Sequence, residues 1–377
     1  MKRVALGMSG GVDSSVAAKI LIDQGYEVIA VFMRNWDSTV NNEMIGIDIE
    51  EDDICPQEKD YLDAKKVCEQ LNINLHRFDF VDEYWNDVFI YFLDELKKGR
   101  TPNPDLLCNK YVKFDAFKKA CESFDVDLYA FGHYAITTFD KNGVHLIQGA
   151  DKNKDQTYFL SQVSKEQLSD VIFPIGHLEK SEVRKIAKDN NLFTSDKSDS
   201  TGICFIGERN FPIFLQNYFK PKEGNVIDIT TGKKLGTHYG LVNYTIGQRR
   251  GLNVGGAKSA LYVCAKNIPE NILYVCDEDN RSQLISVKCS VNTLNWINKP
   301  KTSKFSCFAK FRYRQTPHIV EVEVLENEII VKYPQGVESV TPGQACVLYV
   351  NDECLGGGLI NNVFNKNDEK MVYLGGK

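Results

Sequence analysis

The chain has 377 residues, which is long for one hydrophobic core and sets the expectation at two or three domains. Its 43% hydrophobic and 25% charged content belongs to a folded globular protein, so disordered and fibrous classes have no support. A net charge of −6 gives bulk electrostatics no sign of nucleic acid, and no apolar run is long enough to cross a membrane. The basic start Met1-Lys2-Arg3 is followed by no long apolar stretch, so no secretory signal is expected and a cytoplasmic location is. Eleven cysteines, an odd number without a C-x-x-C pair, argue for reduced thiols and against a disulfide framework, a zinc ribbon or a cysteine-held iron–sulfur cluster.

In chain order, residues 4–8 read as a buried strand, 14–24 as an amphipathic helix and 26–33 as a second strand. The polar, acidic stretch 35–57 breaks the pattern and reads as a lid or insertion. Helix 60–71 places Ala64, Val67, Cys68 and Leu71 on one face, and strand 75–80, helices 83–98 and 110–123 and strand 128–132 follow. This alternation predicts a doubly wound parallel α/β sheet. Residues 134–148 predict a hairpin turning at Asp140-Lys141-Asn142-Gly143, and Ser181 reads as the N-cap of a helix reaching 190. Beyond Phe211 the helical signal fades into short segments at 224–229, 241–244 and 260–266. Strands at 284–287, 305–312, 319–325, 329–333, 345–350 and 355–360 predict a C-terminal antiparallel β-barrel. The domains are expected at 1–208, 209–280 (a small mixed domain) and 281–377.

The segment Ser9-Gly10-Gly11-Val12-Asp13-Ser14-Ser15 joins the first strand to the first helix. Glycines there let backbone amides approach an anion, the helix N-terminus adds its positive end, and three serines add hydroxyl donors. No lysine follows in the Walker manner, so γ-phosphate transfer is not its task. The loop resembles the PP-loop of the ATP pyrophosphatase superfamily, whose members adenylate a carbonyl-type oxygen and release pyrophosphate. That leaves ligases, amidotransferases and RNA thiolases open.

Two cysteines stand in loop chemistry. Cys108 follows the double-proline stretch Thr101-Pro102-Asn103-Pro104-Asp105, just before the expected helix, where the helix N-terminus and Lys110 favour a thiolate. Cys204 lies in the small-residue segment Asp199-Ser200-Thr201-Gly202-Ile203-Cys204. Cys68, Cys121, Cys264, Cys276, Cys289, Cys307, Cys346 and Cys354 read as buried apolar fillers, and Cys55 has no assigned role.

At these residues the chain resembles the tRNA-specific 2-thiouridylases. Blocks at 7–15, Phe32-Met33-Arg34-Asn35-Trp36, 99–109, Gly132-His133-Tyr134, 151–160, 199–209, 245–251, 312–316, 341–344 and Gly356-Gly357-Gly358 carry the likeness over nearly the whole length. The resemblance implies ATP bound by Gly7, Met8, Ser9, Gly10, Gly11, Val12, Asp13, Ser14, Met33 and Gly132, with magnesium arriving on the nucleotide and no protein-only metal site. It implies a pocket for a flipped-out wobble uridine at Asn103, Pro104 and Asp105, with Asp105 as acid/base carboxylate. Cys204 would carry a persulfide and Cys108 would be its partner nucleophile. Their disulfide would need a reductant, and a sulfur-relay protein or cysteine desulfurase would supply sulfur. The substrates implied are tRNAs for Lys, Glu and Gln.

The same resemblance implies tRNA contacts at His133, Lys154, Asp155, Gln156, Arg312, Tyr313 and Gln344. Read from the residues alone, Lys154-Asp155-Gln156 is more readily a solvated charge run, Arg312-Tyr313-Arg314 could be an exposed strand face, and His133 a satisfied structural histidine. Local basic clusters at Lys97-Lys98-Gly99-Arg100, Arg249-Arg250 and 299–304 could meet phosphates.

Overall fold

The computed structural model describes residues 1–38, 40, 41, 43, 56–199, 210–252, 254, 255 and 259–371. The first strand is buried on both faces: Val4 and Leu6 of β1 (Arg3–Gly7) join the core on one face, and Ala5 the core on the other. The run stays buried because α1 (Val12–Asp23) and α2 (Pro56–Leu71) cover the first face. On the opposite face lie α3, made of Val81–Tyr84, a π-widened turn Trp85–Phe89 and Ile90–Lys97, and α4, made of Pro104–Leu107, a π-widened stretch Cys108–Ala116 and Phe117–Cys121. With β2 (Glu27–Arg34), β3 (Asn74–Asp79), β4 (Leu128–Phe131) and β7 (Val171–Ile172), β1 forms a parallel sheet of order β3-β2-β1-β4-β7. The doubly wound expectation holds.

One local reading changes. The helix expected from Ser181 runs instead over Lys180–Asp189, with Glu179 as N-cap and the Glu182 carboxylate accepting the Glu179 amide at 2.7 Å. A cap at Ser181 would put Arg184 three residues on, and Arg184 cannot accept that bond, whereas Glu182 completes a capping box. Of the acidic stretch 35–57, Asn35, Trp36, Asn41, Glu43 and Gln57 are buried. Trp36 and Glu43 are both 2% exposed, the Trp36 indole donates to Glu43 at 2.8 Å, and the Tyr218 hydroxyl donates to the Asn41 carbonyl. Residues 44–55, with Cys55, lie outside the described residues.

The expected hairpin forms as β5 (Ala135–Asp140) and β6 (Gly143–Gln148), with the Asn142 amide donating to Asp140 in the turn. The hairpin does not join the parallel sheet. Residues Leu146 and Ile147 pair with Cys354 and Glu353 of β17 (Glu353–Phe364), so the hairpin extends the C-terminal sheet. That sheet runs β12 (Ile285–Trp296), β15 (Ile329–Glu338), β14 (His318–Val324), β13 (Lys304–Lys310), β16 (Ala345–Val350), β17, and a β12–β17 pairing closes it into a six-stranded antiparallel barrel. Between the two units lies a small four-stranded sheet, β8 (Glu223–Asp228), β9 (Lys234–Tyr239), β10 (Leu261–Asn267) and β11 (Ile272–Asp277). Val263 and Val275 of that sheet share one apolar cluster with Val291, Val331 and Ile360 of the barrel.

The eight cysteines expected to be apolar fillers are all buried. Burial pushes the Cys68, Cys121, Cys307 and Cys354 thiols up to about 12, which keeps them protonated and unreactive near neutrality.

The hairpin carries a pH-dependent pin. His145 Nδ1 lies 2.8 Å from Glu353 and Nε2 3.1 Å from Asp140, and the Glu353 bond is the main cause of a raised imidazole pKa. A raised folded-state pKa gives stability that is fully present below the unfolded value and is lost as pH rises through the folded value. The stability difference between the parent protein and His145→Gln, measured by urea denaturation, is therefore expected to be larger at pH 6 than at pH 8.5.

Candidate active site

The strand order reverses at β1 and β4, and both strands deliver a glycine-rich turn at their C-terminal ends, where open α/β sheets bind ligands. Gly10 has φ +73°, and a Cβ there would stand 2.1 Å from the Asp60 carbonyl oxygen, so only glycine lets the loop lie against α2. Gly11 is the N-cap of α1 and contributes no side chain, which leaves the first-turn amides without a side-chain cap. An anion there meets both those amides and the helix dipole. Ser9 is exposed and its hydroxyl lies 3.1 Å from that of Ser14, while the Ser14 and Ser15 hydroxyls donate to the Gly11 carbonyl. Met8, Val12 and Met33 are buried beneath the loop. Gly132, after β4, would place a Cβ 2.9 Å from the Ser14 amide, so the end of β4 meets the start of α1 at backbone distance.

Asp13 faces a cluster of charges. Lys180 Nζ donates to both its carboxylate oxygens at 2.7 and 2.9 Å, and the Tyr134 hydroxyl donates at 2.8 Å. The same Lys180 reaches Asp199, which also holds Lys154 and Arg184 at 2.6 Å each. Burial alone would raise the Asp199 carboxyl, but Lys154 and Lys180 reverse this and hold it well below the usual carboxylate range. On the other side of the loop, Lys197 ties the Gly10 carbonyl to Asp60 and Asp63.

The second group of expected residues sits on α4. Asn103 is its N-cap, accepting the Asp105 amide at 3.1 Å, and Pro104 fills the first helical position. The helix therefore starts earlier than the sequence reading of 110–123, and Cys108 stands one turn inside it, not before it. It is fully buried, at the start of the π-widened stretch. The field of the helix terminus falls on Asp105, because it decays within the first turn. Asn109 binds the carbonyls of Asp105 and Phe159, and the Phe159 ring lies 4.4 Å from that of Tyr313, which joins this helix to the barrel. Cys204 lies outside the described residues.

Three domain models match in order: a tRNA methyl transferase HUP domain over residues 2–208, a tRNA methyl transferase PRC-barrel domain over 213–277 and an aminomethyltransferase β-barrel domain over 286–360. The tRNA-specific 2-thiouridylase of Mycoplasma capricolum is 52% identical over 371 residues, covering 96% of this chain and 99% of that one. Those of Mesoplasma florum and Mycoplasmopsis synoviae are each 53% identical, covering 96% and 99% of this chain and 99% of their own. This chain belongs to the tRNA-specific 2-thiouridylase family.

Within this 2-thiouridylase-family chain, the positions expected at tRNA are engaged by protein partners. Arg312 donates to the Ile246 carbonyl and to Thr341, and Gln344 donates to the Thr101 carbonyl at 2.6 Å. Gln156 accepts the Tyr134 amide. His133 is buried among Phe114, Phe131 and Phe173, and burial drives its imidazole toward the neutral form. Asp155 is 3% exposed and accepts from Gln148, the Gly149 amide, Thr157 and Lys310. Lys154 is partly exposed at the Asp199 cluster.

The sequence reading did not single out Lys180, Asp199, Tyr134 or Lys197. Tyr134 and Asp199 lie inside segments that carry the family likeness, but nothing in their spacing links them to Asp13, 121 residues from Tyr134. Lys180, a cation beside an expected helix start where the dipole disfavours positive charge, is the signal the sequence does carry.

The Asp155–Lys310 pair is buried on both sides, with 2% and 10% of the side chains exposed. Asp155→Ala strands the lysine and is expected to destabilise the protein by about 3–5 kcal/mol, and Asp155→Asn combined with Lys310→Met to recover a substantial part of it, both read from urea denaturation.

Proposed function

We propose that this protein is a tRNA-uridine 2-sulfurtransferase that activates its target with ATP. The observation that carries the reading is the glycine loop at the β1/β4 switch point, with uncapped helix amides and no Walker lysine, in a chain matched end to end by tRNA-specific 2-thiouridylases. Such a loop suits pyrophosphate as a leaving group. The uridine C2 oxygen attacks the α-phosphorus of ATP, pyrophosphate departs, and a sulfur nucleophile then displaces AMP at C2. The α1 amides and the Ser9 and Ser14 hydroxyls hold the phosphates. Asp13 would hold magnesium carried on them, which fits a hard cation that keeps phosphate and water among its oxygen ligands.

Asn103, Pro104 and Asp105 receive the base, and the Asp105 carboxylate handles the N3 proton beside C2. Sulfur arrives as a persulfide on Cys204, delivered by a sulfur-relay protein or a cysteine desulfurase. Attack of the Cys108 thiolate on the Cys204 sulfur releases the outer sulfur to C2 and leaves a Cys108–Cys204 disulfide, which a two-electron dithiol reductant reopens. The wobble position and tRNAs for Lys, Glu and Gln follow the resemblance. On this reading the division 1–208, 209–280 and 281–377 separates the catalytic unit from a central tRNA-contacting unit and a barrel.

Three measurements test this. Mass spectrometry of nucleosides from tRNA incubated with protein, ATP, magnesium and sulfide is expected to find 2-thiouridine, and a methylated nucleoside in its place would transfer the assignment to the methyl chemistry named in the domain models. With a persulfide donor, Cys108→Ser is expected to lower product by at least about 100-fold. Gly10→Ala is expected to weaken ATP at least about tenfold in titration calorimetry, since its Cβ has no room against Asp60 and φ would be strained.

A further inference from the structure

Lys266, in β10, is 1% exposed. Taking an ammonium out of water is unfavourable by several kcal/mol, and burial brings this amine down to about 7. Among the described residues its hydrogen bond is to the carbonyl of Gly99, at 3.2 Å. That carbonyl has a specific place in the chain. Gly99 ends α3 with φ +78°, its amide donating to the Leu96 carbonyl and the Arg100 amide to that of Glu95, the left-handed turn that closes a helix. Its carbonyl points out of the helix, and Lys266 satisfies it.

Four residues later α4 begins with Asn103, Pro104 and Asp105. The chain in between is gripped from the barrel. The Thr101 amide donates to the Pro342 carbonyl at 3.0 Å, Gln344 donates to the Thr101 carbonyl, and Arg100 donates to Asn361. Gly343, at φ +92°, favours glycine, and a Cβ there would press to 3.0 Å against the Thr101 amide, so the two backbones meet closely. The barrel thus fixes the middle of this loop, while Lys266 fixes its start from the central unit.

We propose that Lys266 is a positioning residue through which the central unit sets the pose of Asp105 and Cys108, by holding the Gly99 carbonyl at the root of their loop. This rests on the reading of those two residues as reacting groups. A methionine at 266 fills nearly the same volume and donates nothing, so the loop root loses its anchor while the core stays filled.

The test compares full-length parent, Lys266→Met and Lys266→Gln by hydrogen exchange and by steady-state 2-thiouridine formation. Exchange in peptides spanning 99–109 is expected to accelerate about tenfold or more in Lys266→Met, with peptides of β1 and α1 unchanged. The kcat is expected to fall about tenfold with KM for ATP within about twofold, as loss of alignment without loss of nucleotide binding requires. Lys266→Gln, which keeps a shorter donor, is expected between the two, and it carries the comparison if the methionine variant does not fold. Exchange at 99–109 equal to the parent's, or a rise spread evenly over the whole N-terminal unit, overturns the proposal. Absence of 2-thiouridine with the parent protein overturns the catalytic reading on which it rests, whereas the exchange result judges the tie itself.

Discussion

The buried carboxylate of Asp155 is the point on which the architecture depends. It gathers Gln148 at the end of the β5–β6 hairpin, the Gly149 amide, Thr157 and Lys310 of the barrel strand β13. An ionised group so enclosed is tolerable only when its acceptor sites are filled, and here they are filled by groups from separate parts of the chain. The pair therefore adds less to net stability than to uniqueness of arrangement, since any other docking of hairpin and barrel would strand a charge. Its neighbours follow the same seam: Tyr349 lies 3.4 Å from Thr157, Cys354 pairs with Leu146, and Tyr158 donates to the Ala345 carbonyl.

This seam explains why the candidate site is built across units. The nucleotide loop belongs wholly to the parallel sheet, where Gly132 and α1 meet at backbone distance. The Asp105–Cys108 helix does not stand by itself. Its entry loop is held by Gln344, Pro342 and Lys266, and its far side reaches Tyr313 through Asn109 and Phe159. On the proposed reading, an enzyme that must accept a macromolecule and also align one base gains from such construction, because the loop leading to Asp105 and Cys108 is held from the barrel and from the central sheet.

Much of the site was legible because its signals are local. Ser9–Ser15 needs glycine where φ is positive and where backbones nearly touch, and those demands appear in the sequence as glycines between a strand and a helix. The eight filler cysteines were legible from their apolar surroundings. Cys108 falls inside its helix because Pro104, at the first helical position behind the Asn103 cap, starts the helix and does not end a loop. Ser181 was misread for a similar reason: a glutamate cap with a glutamate three residues on competes successfully with the serine.

By itself the sequence determined the alternating strand and helix units, the phosphate-type loop, the closing run of short strands and, through resemblance, the family. These depend on periodicity and on residue types within a few positions of one another. Only the tertiary structure decided that the hairpin joins the barrel, that Asp155 is an internal clamp, that Lys180 spans Asp13 and Asp199, and that Lys266 reaches Gly99. The physical reason is separation along the chain. Lys266 and Gly99 are 167 residues apart, and no local propensity records that a buried amine and a carbonyl beyond a helix end will be each other's partner.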